Sequence, residues 1–211
     1  MTQHLIKKPL YLASTSPRRK ELLEQLNLDF DVVNAPVEEV ALPHENPESY
    51  VRRIAIEKAL AGFNKVAGKI VWVIGGDTAV LVAEQEIDSG MDAETRRFKV
   101  LGKPKNQADS YRMLSMLSGR SHQVLSATAV VFDGEVFSTV NTTKVHFKAL
   151  TDDEIKAYIS TGEPQDKAGS YAIQGLAAKF ITRIEGSYSG VMGLPLFELN
   201  ELLTQSGYYS N

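Results

Sequence analysis

The chain has no cysteine, which removes disulfides and thiolate metal sites together. Histidine is scarce as well: the four present, His4, His44, His122 and His146, show no metal-ligand spacing. Any metal the chemistry requires is therefore a hard cation held by oxygen. No apolar run approaches the length that spans a bilayer, and residues 1–14 lack the apolar centre and small-residue cleavage site of a signal peptide. Net charge is small, with 23 Lys and Arg against 26 Asp and Glu leaving −3. That balance excludes a strongly basic nucleic-acid binder, so an anion site must be a local basic pocket. These absences lead to the expectation of a cytoplasmic protein with a small anionic ligand, no nucleic-acid partner and no membrane partner.

What is present is apolar content of 43% over 211 residues, enough to bury one core, and residues 1–211 are expected to form a single domain. Strand-like and helix-like segments alternate along it, the pattern of an α/β protein.

Ser14-Thr15-Ser16-Pro17-Arg18-Arg19 joins the apolar run Leu10-Tyr11-Leu12-Ala13 to an amphipathic helix over residues 18–26. Ser16 suits the N-cap and Pro17 the first helical position. Arg18 and Arg19 then fall in the first turn, where the helix dipole disfavours cations unless an anion sits there. Free N–H groups, serine hydroxyls and guanidinium forks are the means of binding a phosphate, although a solvated basic face reads the same way locally.

Asn46-Pro47 opens a second helix whose apolar stripe at Tyr50, Val51, Ile54, Ala55 and Ala61 is interrupted by Lys58. Either its stem snorkels along the helix to water, or it meets a ligand. Residues 70–78 form a continuous apolar run ending on Gly75-Gly76-Asp77-Thr78, which reads as a central buried strand with an acid at its carboxyl end. Turn chemistry would account for Asp77 equally well.

Further along, Gly102-Lys103-Pro104 is a short, weak motif. A helix from Asn106 through Leu117 is expected to turn Ala108, Tyr111, Leu114 and Leu117 inward. Asp133-Gly134 between two β-rich runs predicts a hairpin, and Thr151-Asp152-Asp153-Glu154 predicts a capping box. The loop over residues 162–175 concentrates acid, base, amide and glycine. Residues 179–184 read as a strand, 186–190 as a mobile loop, and Leu194-Pro195 opens a last helix with Leu196, Leu199, Leu202 and Leu203 buried.

Taken together, Ala13 to Arg19, Gly76-Asp77-Thr78, Gly102-Lys103-Pro104, Asp166-Lys167-Ala168-Gly169-Ser170-Tyr171-Ala172-Ile173-Gln174-Gly175 and Val191-Met192-Gly193-Leu194-Pro195 resemble the signature blocks of the Maf family of nucleotide pyrophosphatases. The resemblance implies an α/β fold: a mixed twisted sheet with flanking helices and two lobes around a cleft, similar to the inosine triphosphate pyrophosphatases. It also implies a homodimer and the cleavage of nucleoside triphosphates to monophosphate and pyrophosphate. The block from Asp166 to Gly175 is similar to the branch acting on dTTP and UTP, in which residues matching Arg18, Thr78 and Gln174 are tied to base selection. A Gln side chain both donates and accepts, which suits the edge of a pyrimidine.

On that resemblance Asp77 is the expected general base and metal ligand, with Glu38 or Glu39 completing a carboxylate set for Mg²⁺ or Mn²⁺. Ser14, Arg18, Arg19, Lys58 and Lys103 are the expected phosphate cradle, and Asp166, Lys167, Thr78 and Gln174 the remaining substrate contacts. Residues 83–99 read as a lengthened, charged loop in which Glu84, Glu86, Asp88, Asp92 and Glu94 are either solvated or metal-binding. A purine or 7-methylguanosine triphosphate pyrophosphatase, and a nucleotide-binding regulator of septum formation without turnover, are the competing readings.

Overall fold

A computed structural model of the chain describes residues 9–66, 70–83 and 98–210. In chain order the elements are β1 (Leu10–Leu12), α1 (Pro17–Glu24), β2 (Asp31–Val32), α2 (Pro47–Lys65), β3 (Trp72–Ala83), β4 (Phe98–Leu101), α3 (Gln107–Leu117), β5 (Ser121–Phe132), β6 (Glu135–Phe147), α4 (Asp152–Ser160), β7 (Ile181–Glu185), α5 (Tyr188–Met192) and α6 (Leu196–Gln205). Among the described residues seven strands form one sheet in the order β2-β1-β3-β5-β6-β7, with β4 also paired to β3. β1 runs parallel to both β2 and β3, whereas β3–β4 and β6–β7 are antiparallel. The sheet is thus mixed, and helices flank it, as the expected fold class requires.

The chain divides into two compact units. The first takes in the described residues of Met1–Asp77, Ala127–Val140 and Gly193–Asn211, and the second Thr78–Ser126 and Asn141–Met192. In the first unit Ala13, Val71 and Val73 are buried, with Tyr11, Val33, Phe63 and Val66 packed against them. Trp72 stacks on Phe132 at 4.0 Å, and its indole N–H donates to the Ser206 carbonyl at the end of α6. A Cβ added at Gly75 would stand 2.2 Å from the Ala55 carbonyl oxygen and 2.6 Å from the Ala59 nitrogen, so a glycine in β3 is what lets α2 lie directly on the strand. The Asp133-Gly134 turn has φ of 49° and 83°, the left-handed pair of a type I′ hairpin.

In the second unit α3 packs on α4. Leu114, Leu117, Ile155, Tyr158, Phe147, Tyr171 and Phe180 are buried there. The capping box forms as expected: the Thr151 side chain accepts from the Glu154 N–H while the Glu154 side chain accepts from the Thr151 N–H.

Several local expectations are corrected. Asp77 does not end a strand: β3 continues through Ala83, because Thr78 to Val82 is as apolar and β-branched as what precedes it. The β1 ladder stops at Ile74 and the β4 ladder begins at Val80, so Asp77 lies where the strand's neighbour on that side changes. On α3 the buried face is Ser110, Met113, Leu114 and Leu117, and Ala108 is exposed. Nine residues separate Ala108 from Leu117, about 180° around a helix, so repeated steps of three drift off one face. The expected mobile loop at residues 186–190 enters α5, whose Gly190 N–H is capped by Ser187 Oγ at 3.0 Å. Residues 176–180 form a 3-10 turn, and β7 starts only at Ile181. Ser16 occupies the N-cap of α1, but its hydroxyl makes no capping bond. Of the loop expected over residues 83–99, Ala83 is the last residue of β3 and Phe98 and Lys99 begin β4, while residues 84–97 lie outside the described residues.

Candidate active site

Lys58 lies on the inward face of α2 beside Ile54 and Ala55 and is itself buried. Its ammonium does not snorkel to water. Nζ lies 2.8 Å from Asp77 Oδ1 and 2.7 Å from Glu39 Oε1. Burying an ammonium is unfavourable unless it is paired, and here two carboxylates share it.

Glu39, rather than the neighbouring Glu38, is the glutamate brought to Lys58. Its position is fixed from α2: the Tyr50 hydroxyl donates to the Glu39 carbonyl at 3.2 Å, and Arg53 donates to the Val40 carbonyl at 2.9 Å. Arg53 also holds Glu45 through a two-pronged contact at 2.7 Å on each side, which holds the Glu45 carboxyl down to about 2. Glu38 is exposed.

In the same unit Arg19 Nε donates to the Gly193 carbonyl at 2.8 Å, and a terminal guanidinium nitrogen lies 3.4 Å from Ser14 Oγ. Ser14 Oγ also accepts the Ser16 N–H at 3.2 Å. Burial pulls the Arg19 pKa below its ordinary value, Asp77 opposes that shift, Arg18 adds to it and Glu39 opposes it. The α1 first turn contains no acid, so its dipole and its arginines all favour an anion. Ser14, Arg18, Arg19, Glu39, Lys58 and Asp77 therefore gather in one unit.

Among the described residues no group of three or more His, Asp or Glu side chains has the arrangement of a metal centre. Glu39 and Asp77 are nevertheless brought together, each on the Lys58 ammonium, at 2.7 and 2.8 Å. Two carboxylates, completed by substrate oxygens and water, are a donor set that fits Mg²⁺ or Mn²⁺.

The remaining expected site residues belong to the second unit. The Thr78 and Ser126 hydroxyls are 3.1 Å apart, and Ser126 Oγ donates to the Gly190 carbonyl at 2.5 Å. Lys103 is exposed just after β4. The Gly169 N–H donates to the Gly102 carbonyl at 3.1 Å, which ties the loop of Lys167 beside Lys103. Gly169 has a φ of 69° and rests against Val80, a position that suits glycine alone. Lys167 Nζ lies 2.7 Å from Asp166 Oδ1 and donates to the Glu163 carbonyl at 2.8 Å. Gln174 is exposed.

Behind that loop is a polar network that sequence patterns alone do not reveal. The Tyr158 hydroxyl donates to Glu163 Oε1 at 2.8 Å and accepts the Ala172 N–H at 3.2 Å, while Glu163 Oε2 accepts the Leu176 N–H at 3.0 Å. Tyr171 OH meets His122 Nε2 at 2.8 Å. Burial is the main reason the His122 imidazole is pushed down to about 3. Burial likewise raises both tyrosines above their ordinary range, with Glu163 adding to the shift at Tyr158. The one available signal was the presence of Glu163 within the mixed loop.

Fold and site together define a mixed α/β protein whose central strand carries a buried acid, clasped by a lysine and neighboured by an arginine. The chain belongs to the Maf-like protein family, whose sequence model matches residues 9–206. A relative from Hydrogenovibrio crunogenus named dTTP/UTP pyrophosphatase is 55% identical over 205 residues, covering 97% of this chain and 100% of its own. One of the same name from Vibrio cholerae is 50% identical over 194 residues, covering 92% and 96%. A solved HAM1 protein structure from Coxiella burnetii is similar in fold, with a TM-score of 0.50 at 16% identity over 94% of this chain and 99% of that one.

Proposed function

We propose that the protein hydrolyses dTTP and UTP to the monophosphate and pyrophosphate. The observation that carries the reading is the Glu39–Lys58–Asp77 cluster beside Arg19. The name shared by relatives 50% and 55% identical to the chain supports the choice of substrate. Residues 1–211 are read as one catalytic domain.

Cleavage between the α- and β-phosphates requires water to attack phosphorus in line with the departing pyrophosphate oxygen. Asp77 takes the proton of that water on its carboxylate, which β3 holds rigidly and burial shields from bulk solvent. Lys58 orients the carboxylate from one side. Ser14, Arg18 and Arg19, at the positive end of the α1 dipole, neutralise phosphate oxygens as charge builds on them. Glu39 and Asp77 would hold a divalent cation, whose chemistry is to polarise the phosphoryl group and offset triphosphate charge. Lys103 and Lys167 are read as further phosphate contacts, with Asp166 orienting Lys167. Arg18, Thr78 and Gln174 are read as the base-selecting set, Gln174 offering a donor and an acceptor to the pyrimidine edge. A homodimer working in the cytoplasm completes the reading.

The test is product analysis with dTTP, UTP, CTP, GTP, ITP and 7-methyl-GTP, each with Mg²⁺ or Mn²⁺. Monophosphate plus pyrophosphate, chiefly from dTTP and UTP, is expected. Turnover of purine nucleotides alone would overturn the substrate, and binding without turnover would move the regulator reading to first place.

A further inference from the structure

We infer that Glu163 is a positioning residue for base selection: through Tyr158 on one side and directly on the other it fixes both flanks of Gln174, so that the amide is presented in one orientation. The inference rests on the base-selecting role proposed for Gln174.

Gln174 is exposed on its loop. An exposed amide on a loop has several rotamers and two faces, and it discriminates between bases only if the backbone that carries it is fixed. Two residues before it, the Ala172 N–H donates to the Tyr158 hydroxyl at 3.2 Å, and two residues after it, the Leu176 N–H donates to Glu163 Oε2 at 3.0 Å. Both anchors meet in one carboxylate, because Tyr158 OH donates to Glu163 Oε1 at 2.8 Å. A Cβ built on Gly175 would lie 2.4 to 2.5 Å from the Glu163 carboxylate atoms, so the carboxylate is seated directly against the turn that follows Gln174. The main chain of Glu163 adds a third tie, accepting from Lys167 Nζ at 2.8 Å.

The chemistry requires a carboxylate. Tyr158 OH and the Leu176 N–H both donate to Glu163, and an ionised carboxylate offers an acceptor oxygen to each. Glutamine of the same shape has one oxygen, so its N–H₂ faces either the Leu176 N–H or a Tyr158 oxygen that already accepts from Ala172 and must give up its own donor bond. Loss of one such bond in a partly buried network corresponds to a change of about tenfold. Because Glu163 acts through the orientation of Gln174, its loss should lower preference among bases rather than turnover in general.

The experiment compares kcat/KM for dTTP and CTP in the full-length wild type, Glu163→Gln, Tyr158→Phe, Gln174→Ala and the Glu163→Gln/Gln174→Ala double variant. Glu163→Gln and Tyr158→Phe are expected to lower the dTTP:CTP ratio about tenfold, mainly through a higher KM for dTTP, with kcat within about threefold of wild type. The double variant should have the ratio of Gln174→Ala alone, a coupling that a merely structural role would not produce. Tyr158→Phe keeps the ring and its packing, so the test stands even where Glu163→Gln folds poorly. A wild-type ratio in both single variants, a parallel fall on both nucleotides, or additive effects in the double variant would overturn the inference while the Gln174 reading stands. An unchanged ratio in Gln174→Ala would instead overturn that reading, and the inference with it.

Discussion

Lys58 and Asp77 are 19 residues apart in sequence, yet the lysine ammonium lies 2.8 Å from the aspartate Oδ1. Their side chains are only 11% and 10% exposed, so each charge depends on the other. The pair joins the inward face of α2 to the centre of β3, and it connects the stability of the first unit to its chemistry.

Removing one partner leaves the other charge buried. Lys58→Met is expected to lower unfolding stability by on the order of 3 kcal/mol, read from urea midpoints at constant m. Adding Asp77→Asn to Lys58→Met should recover part of that loss, since the uncompensated charge is then gone. A wild-type midpoint for Lys58→Met would show that the pair does not support the fold.

Gly75→Ala places a methyl group against the α2 backbone at Ala55 and Ala59. The helix must shift, at a cost of about 1–3 kcal/mol, and Lys58 shifts with it. Turnover should therefore fall in the folded fraction as well. A stable variant with full activity would mean that the close approach of α2 to β3 does not position the site.

Which of the adjacent glutamates serves the cation is open to direct test. Glu39→Gln should weaken Mn²⁺ binding, followed by the electron paramagnetic resonance of free Mn²⁺ with pyrophosphate present, by at least about tenfold. Glu38→Gln should leave it unchanged, because Glu39 is the residue brought to Lys58. Equal effects, or an effect of Glu38→Gln alone, would reverse the assignment.

His122 gives a pH dependence separate from catalysis. Burial lowers its pKa from 6.5 to about 3 in the folded chain. Between those values the unfolded chain binds the extra proton, so stability falls as pH falls, by up to about 1.4 kcal/mol per pH unit; above 6.5 there is no contribution. His122→Gln retains a partner for Tyr171 OH and should flatten that part of the stability curve between pH 6.5 and 5. An equally steep curve in the variant would assign the dependence to other groups.

Short-range features were legible in the sequence. The helix start at Asn46-Pro47, the Thr151 capping box and the Asp133-Gly134 hairpin each depend on residues within a few positions of one another, and all three formed. Boundaries set by the sheet were less legible: the acid at position 77 looked like a strand end, but pairing with β4 carries the strand on to Ala83. Candidate residues around Lys58 could be named from the sequence, but their geometry could not. Nothing local to Lys58 indicates that its ammonium turns inward, because the groups that make this favourable, Asp77 and Glu39, come from other elements. Glu163 was hidden for the same reason: its donors lie 5 and 13 residues away.

The most direct test of the account is to compare dTTP turnover and nucleotide binding in Asp77→Asn and wild type. The asparagine keeps the size of the side chain and removes its ability to take a proton. Turnover should fall by about 10²- to 10⁴-fold while nucleotide affinity stays within a fewfold of wild type. Unchanged turnover would contradict the account, because the residue at the centre of the cluster would then have no part in the reaction.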